Sequence, residues 1–384
     1  MKKIKLNRKL FTLHSWLGLF LGIIYLVISI GGASIVFYSE LNQFLYGDKI
    51  KIEQQTGNKL SYDQLYVIAR KLHPDAEYIS IGSDPHYPQN AWTIYSSMSA
   101  PSKLFDNGSG SIDYINPYNG QIVFTANAGG SGDLVGLLNT LHVQLYMGTA
   151  GAVIVAIVSI AILLSIITGF IFYRKNILKV LSFKSKIKFR NWRTASSDLH
   201  RVIGTWAFFI NIFIFGSGLY MEYILLTPGW WKENWPPTNT AQHVPASMPS
   251  IDKLVANAQQ LVPEIIPNNV FISYDTTQSI SVSGPAKEKL FLDVDNYVYV
   301  DYNFNGELKN KNYKKWSELT TTEKYDNINF NVFHTGWAFG ITGKIIWTIM
   351  GFAPAFLSLS GFILWWRKQY SKNNRKKNTM HVPG

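Results

Sequence analysis

Residues 142–151 read His-Val-Gln-Leu-Tyr-Met-Gly-Thr-Ala-Gly, and residues 334–343 read His-Thr-Gly-Trp-Ala-Phe-Gly-Ile-Thr-Gly. Both are His-x5-Gly-x2-Gly, and each opens a long apolar stretch. The match runs on: Gly169 and Gly361 each lie 27 residues past His142 and His334, and the copies close on Tyr173-Arg174-Lys175 and Trp366-Arg367-Lys368. Spacing kept over so long a stretch predicts an internally duplicated membrane protein with an equivalent histidine in each half. His14 and His200 open the two remaining apolar stretches, so one end of every span carries a histidine.

Working outward, four segments are apolar enough to cross a bilayer, which takes about 20 residues. The expected division is a lead with a first span (1–39), an outer unit (40–141), a second span (142–173), a basic connector (174–199), a third span (200–222), a second outer unit (223–333), a fourth span (334–366) and a basic tail (367–384). The formal charge is +12. Five cations precede span one, eight lie in the connector and six in the tail, with Asp198 the one acid among these segments. Residues 40–141 and 222–333 together carry 15 cations and 23 acids. By the positive-inside rule, both termini and the connector are cytoplasmic and both outer units lie outside. The basic charge is then a topology signal with some pull toward anionic lipid, and no nucleic-acid partner is expected. The first span, at 25 uncharged residues, is too long for the apolar core of a cleaved signal, so it is expected to stay as an anchor.

The chain has no cysteine. That excludes disulfides, thiolate metal sites, cysteine-ligated iron–sulfur clusters and covalent c-type haem. No dinucleotide fingerprint, P-loop or large cytoplasmic domain is present, so no flavin or nucleotide site is expected and any electron donor is a separate molecule.

In each outer unit, a serine-started amphipathic stretch (61–72; 250–261) predicts a helix. Strand-like runs follow at 78–81, 91–95, 112–115 and 121–125, and again at 270–274, 279–282 and 289–292. Asn116-Pro-Tyr-Asn-Gly120 and Asp301-Tyr-Asn-Phe-Asn-Gly306 are matching turns. Residues 223–249, rich in Trp and Pro, read as an interfacial loop. Gly18 and Gly22 share the helical face of His14, and Gly204 that of His200. The fold class expected is a membrane protein of four transmembrane helices in two pseudo-symmetric halves, each with an extracytoplasmic α+β insertion.

The opening Arg8-Lys-Leu-Phe-Thr-Leu-His14-Ser-Trp-Leu-Gly18-Leu, the helix and strand–turn–strand of each outer unit and the His-x5-Gly segments resemble the PepSY-associated transmembrane proteins over nearly the whole chain. The two turns depart from that family's usual Asp-Pro-x-Thr-Gly. The resemblance implies PepSY-like outer units. Its FoxB-type members are inner-membrane ferric-siderophore reductases with two b-type haems, which implies an oxidoreductase here. The residues agree: a neutral imidazole is a good axial ligand, and bundles hold cofactors between facing helices. Spans one and three start inside, so His14 and His200 share one depth; spans two and four start outside, so His142 and His334 share the other. Two bis-His haem b sites are therefore expected, His14 with His200 and His142 with His334 as iron ligands.

Arg174, Arg193, Arg201 and Arg367 lie at the cytoplasmic side and are expected to meet inner haem propionates. Trp16, Trp206 and Trp337 either pack on haem or anchor at the interface. His73, His86, His243 and His381 read as surface residues. The expected partners are a ferric siderophore or other periplasmic acceptor, a quinol or cytoplasmic reductase as donor, and the lipid bilayer. Three other readings stay open: a peptide- or protease-binding protein without redox activity, a haem subunit serving a partner oxidoreductase, and a metal carrier, which would need its ligands clustered near the midplane.

Overall fold

The computed structural model describes residues 2–380 except 54–56, 100–108, 129–133, 231–246, 275–277, 292–293 and 321–332. His243, His381 and most of the Trp- and Pro-rich loop lie outside the described residues. Eight α-helices are described: α1 Lys2–Ile35, α2 Tyr38–Ile50, α3 Tyr62–Leu72, α4 Leu134–Gln144, α5 Gly148–Leu181, α6 Trp192–Trp230, α7 Ile251–Leu261 and α8 Gly340–Met380. Eight strands accompany them: β1 Tyr78–Gly82, β2 Trp92–Ser99, β3 Ser109–Ile115, β4 Ile122–Ala128, β5 Asn269–Ser273, β6 Ser279–Phe291, β7 Val294–Asn303 and β8 Leu308–Lys311.

Segments Arg8–Ile35, Gly148–Leu181, Thr194–Leu226 and Trp337–Tyr370 are long and apolar enough to cross a membrane. This is a membrane protein of four such helices. They pack in a ring, α1 on α5, α5 on α6, α6 on α8 and α8 on α1. Hence α1 opposes α6 across the bundle, and α5 opposes α8. Tyr25, Ile28, Val155, Val158, Ile162 and Phe215 fill its middle.

The span boundaries differ from expectation. α5 runs to Leu181, past the aromatic–basic end expected at 173, and α6 starts at Trp192, eight residues before His200. Hydropathy marks only the lipid-embedded part of a helix, and Lys and Arg are good helix formers that let it continue beyond. The connector shrinks to residues 182–191. In the second outer unit, residues 289–291 belong to the far end of β6 rather than a strand of their own, and residue 292 lies outside the described residues. α2, α4, β7 and β8 had no counterpart among the expected elements.

The larger departure is in the outer units, which were expected as two separate sheets. All eight strands form one antiparallel sheet in the order β4-β3-β2-β1-β5-β6-β7-β8. Tyr78–Gly82 pairs with Asn269–Ser273 along all five residues. Alone, each four-stranded unit would leave its first strand as an open edge of unpaired amides, and joining the two removes both edges. One face of the sheet packs on α3 and α7 around a shared core that includes Leu65, Ile79, Ile81, Ile94, Ile251, Val270, Ile272, Ile280 and Val300.

The helices on that face cap one another. Ser61 caps α3 and Ser250 caps α7, each accepting from the amide three residues on. The second residue of each helix then crosses over. Asp252 accepts from the amides of Tyr62 (2.9 Å) and Asp63 (3.1 Å), while Asp63 accepts from the Ile251 amide and the Ser250 hydroxyl (both 2.6 Å). Burial alone would push the Asp252 carboxyl up. Hydrogen bonds from the Ser61 hydroxyl and the Asp63 and Tyr62 amides outweigh it and hold the group below the usual carboxylate range. A carboxylate whose folded pKa is depressed stabilises above its unfolded value, and the contribution fades as pH falls through the folded one. Asp252→Ala, which strips two cap bonds, is expected to cost about 2 kcal/mol. In thermal unfolding of the full chain, the gap between wild type and Asp252→Asn should narrow on going from pH 7 to acid.

One row across the sheet reads Asp113, Ile94, Ile81, Val270, Val282, Val300. Asp113, on β3, stands where the corresponding strand of the other half, β7, has Val300. It is buried, and it is bonded by His73 Nε2 (2.6 Å), the Ser111 hydroxyl (3.0 Å) and the Thr125 hydroxyl (2.7 Å). His73, expected at the surface, is instead the half-buried C-cap of α3 tied to β3; the matching C-cap of α7 is Val262. Its polar partner sits 40 residues away, out of reach of local pattern reading. His86 is exposed.

Candidate functional site

Each copy of the His-x5-Gly-x2-Gly motif builds a break in the helix. His142 sits near the end of α4, and residues 145–147 turn with Leu145 (φ 50°) and Tyr146 (φ 58°) left-handed. His334 likewise precedes a turn at Gly336 (φ 75°). The first motif glycine then starts the span at a positive φ that favours glycine, Gly148 at 57° and Gly340 at 60°. The second glycine lies against the turn it follows. A Cβ on Gly151 would overlap the Gln144 carbonyl, and one on Gly343 would overlap the Gly336 carbonyl. These carbonyls lie two residues after His142 and His334 respectively. The outer histidines thus stand on short pieces before the spans rather than within them.

The breaks aim the histidines inward. His142 and His334 meet across the bundle, with ring centres 6.0 Å apart and ring planes at 35°. At the other end, His14 of α1 and His200 of α6 meet with ring centres 6.3 Å apart and planes at 82°. The two pairs expected from topology are the two pairs brought together.

Each ring is braced by a neighbouring helix. His14 Nδ1 is bonded to the Ser165 carbonyl (2.9 Å), with the Ser165 hydroxyl at 3.1 Å. His142 Nδ1 is bonded to the Ile28 carbonyl (2.8 Å). His200 Nδ1 meets the Ser360 hydroxyl (2.8 Å), and His334 Nδ1 the Ser217 hydroxyl (3.1 Å). Both hydroxyls donate onward to backbone carbonyls, Ser360 to Leu357 and Ser217 to Phe213 or Ile214. They therefore accept from the imidazole, which places its proton on Nδ1. Among the described residues, no hydrogen bond uses Nε2 of any of the four.

A glycine lies against each ring. A Cβ on Gly169 would lie 3.1 Å from His14 Cε1, on Gly361 3.6 Å from His200 and on Gly218 3.0 Å from His334; on Gly32 it would overlap the His142 ring. So Gly169 makes room for the histidine at the opposite end of the bundle, while Gly361 stands in the matching place at ordinary contact distance from His200. Gly32 and Gly218, each 18 residues past His14 and His200, make room for the outer pair. That offset is readable in the sequence and was missed, as were Ser165, Ser217 and Ser360. The two levels are separated by those 18 residues, about 27 Å of helix.

The donor set fits a metal held end-on between two imidazoles. Bonds of about 2 Å from each Nε2 to one ion would put the ring centres roughly 6 Å apart. Fixing Nδ1–H on an acceptor is how ligating histidines are oriented and made more basic. Space is present beside the inner pair: a Cβ on Gly18, one turn along from His14, would touch nothing within 4 Å. Among the described residues, no three or more His, Cys, Asp or Glu side chains gather into a metal site. The four histidines form two separate pairs and no midplane cluster.

Other expected residues stand apart. Arg201 donates to the Ser197 carbonyl and is ion-paired with Asp198. Arg174 and Arg367 are exposed, and the Arg193 side chain lies outside the description. Trp16 stacks on Phe20 and Trp206 meets Phe183 at a tilt, both tryptophans exposed, which is the anchoring arrangement. Trp337 donates to the Val36 carbonyl and, with Phe37, flanks Lys344, which is ion-paired with Glu40.

A protein-family model, the PepSY-associated TM region, matches residues 11–368. No curated protein matches the chain.

Proposed function

The chain belongs to the PepSY-associated transmembrane family, and from that premise we propose that it carries electrons across a membrane through two b-type haems, one held by His14 and His200 and the other by His142 and His334. The observation that carries this reading is the pairing itself. Two histidine pairs have ring centres 6.3 and 6.0 Å apart, with every Nδ1 engaged. Repeated offsets to the bracing glycines support an origin by internal duplication, with PepSY-like outer units in two pseudo-symmetric halves.

Haem, when bound, supplies the one-electron chemistry. The protein's share is to hold the ligand rings, keep their protons on Nδ1 and exclude water between the levels with Tyr25, Ile28, Val155, Val158, Ile162 and Phe215. With the basic segments cytoplasmic, His14 and His200 face the donor side of a bacterial inner membrane, where a quinol or a cytoplasmic reductase delivers electrons. His142 and His334 face the periplasm, beneath the sheet. The acceptor that the family resemblance favours is a ferric siderophore, whose iron is released once reduced to the more weakly held ferrous state.

The absorption spectrum of the detergent-purified chain tests this. Expected are a Soret band, sharp α and β bands after dithionite, and close to two haems per chain. A colourless protein, made with ample haem supply, overturns the reading and leaves the outer sheet as a binding surface.

A further inference from the structure

The two histidine pairs are alike in composition and separation but not in orientation. The His14 and His200 planes cross at 82°, near perpendicular, while those of His142 and His334 lie 35° apart. The bracing contacts account for both. In the inner pair, His14 is bonded through Nδ1 to the Ser165 carbonyl of α5, and His200 to the Ser360 hydroxyl of α8. Those helices stand on opposite sides of the bundle, and Gly169 lets the His14 ring lie close against its brace. In the outer pair the braces are the Ile28 carbonyl of α1 and the Ser217 hydroxyl of α6. There the rings enter from the short pieces before the spans, which turn them differently from rings carried on continuous helices.

Ring orientation has an electronic consequence at a low-spin ferric haem with two imidazole ligands. Each imidazole plane raises one of the two iron d orbitals that stand perpendicular to the macrocycle. Parallel planes raise the same orbital and split the pair. Crossed planes raise both equally and leave them close in energy. The split pair gives a rhombic EPR spectrum; the near-degenerate pair gives a strongly anisotropic one with a single very large g value. Ligand orientation is thus a means by which a protein makes two haems of identical ligation unequal.

Resting on the haem reading above, we propose that this chain makes its two sites electronically distinct through ligand-plane orientation, crossed at His14–His200 and nearer parallel at His142–His334, with Ser360 a positioning residue for the crossed pair. Ser360 acts through His200. Its hydroxyl accepts from Nδ1 and is itself held by donating to the Leu357 carbonyl, so the ring cannot turn about its bond to Cβ without losing the Ser360 link.

The test is EPR of the oxidised, haem-loaded full chain in detergent. Wild type should show two low-spin ferric signals of equal weight, one strongly anisotropic and one rhombic. His334→Ala, which removes an outer ligand, should keep the anisotropic signal and lose the rhombic one. Ser360→Ala should keep both haems by absorption, move the anisotropic signal toward rhombic and leave the other unchanged; Ser360→Thr, which retains the hydroxyl, should restore it. Two rhombic signals in wild type overturn the proposal, as does a rhombic survivor in His334→Ala or an unmoved spectrum in Ser360→Ala. Absence of haem overturns the haem reading itself, whereas two haems with like spectra overturn only the inequality.

Discussion

Replacing His334 with alanine is expected to halve the haem content and to bring reduction of an added ferric siderophore to background. The argument is geometric. His334 is one of two imidazoles at its level, and His142 across the bundle is the other. Among the described residues, no further His, Cys, Asp or Glu gathers there to take its place. The inner pair lies about 27 Å of helix away and is braced by different residues, so it should keep its haem and its reduced α band. Loss of one residue therefore separates filling of the inner site from delivery at the outer one. Haem quantitation with a reduction assay reads both, and full activity with His334 gone would sink the two-site scheme. Ser217→Ala, which removes only the brace, should weaken haem retention at that level by about 10- to 100-fold.

The second large effect is expected at a residue with no part in the chemistry. Gly151→Ala adds one methyl group where the Gln144 carbonyl already stands. Backbone cannot step aside as a flexible side chain can, so the turn at residues 145–147 must open. That turn aims His142, and Leu145 and Tyr146 are already left-handed within it. Strain at such positions runs to about 1–3 kcal/mol each, so little reserve remains. Gly151→Ala should give a chain that accumulates poorly or, where it folds, lacks the outer haem. Gly216→Ala is the matched control. It adds the same methyl group to α6, where nothing lies within 4 Å, and should be tolerated or gain up to about 1 kcal/mol in helix propensity. Yield and haem content of the two variants, side by side, check the contrast.

Much of this architecture was legible because it is local or periodic. The spans follow from apolar length, the outer helices from Ser61 and Ser250, and the histidine pairs from the sidedness of Lys and Arg. The motif glycines were visible as a pattern, but not their work. A spacing cannot say that Gly169 serves His14 rather than its own copy's His142, because that contact joins residues 155 positions apart. The Ser165, Ser217 and Ser360 braces were hidden for the same reason, and a serine in a span has many bland uses. The joined sheet was the plainest failure. Tyr78–Gly82 and Asn269–Ser273 each read correctly as strands, yet nothing in either announces that the other completes its edge. Span ends also moved, because hydropathy reports on lipid contact and a helix need not stop where lipid does.

That joined sheet has a mechanical meaning. It is a plate, and the spans that lead into it from both parts of the chain hang from the same plate. Crossed caps at Asp63 and Asp252 bolt its two helices together, and the five-residue seam between β1 and β5 runs through its centre. A carrier that hands a solute across a membrane must rock one portion of its bundle against another, and a tie of this kind resists the hinge. Cargo that needs no hinge, such as an electron, passes a stiff frame without cost. On the electron-carrying reading proposed above, such a tie would also hold the rings in register, leaving as moving parts the molecules that arrive at and leave the two faces.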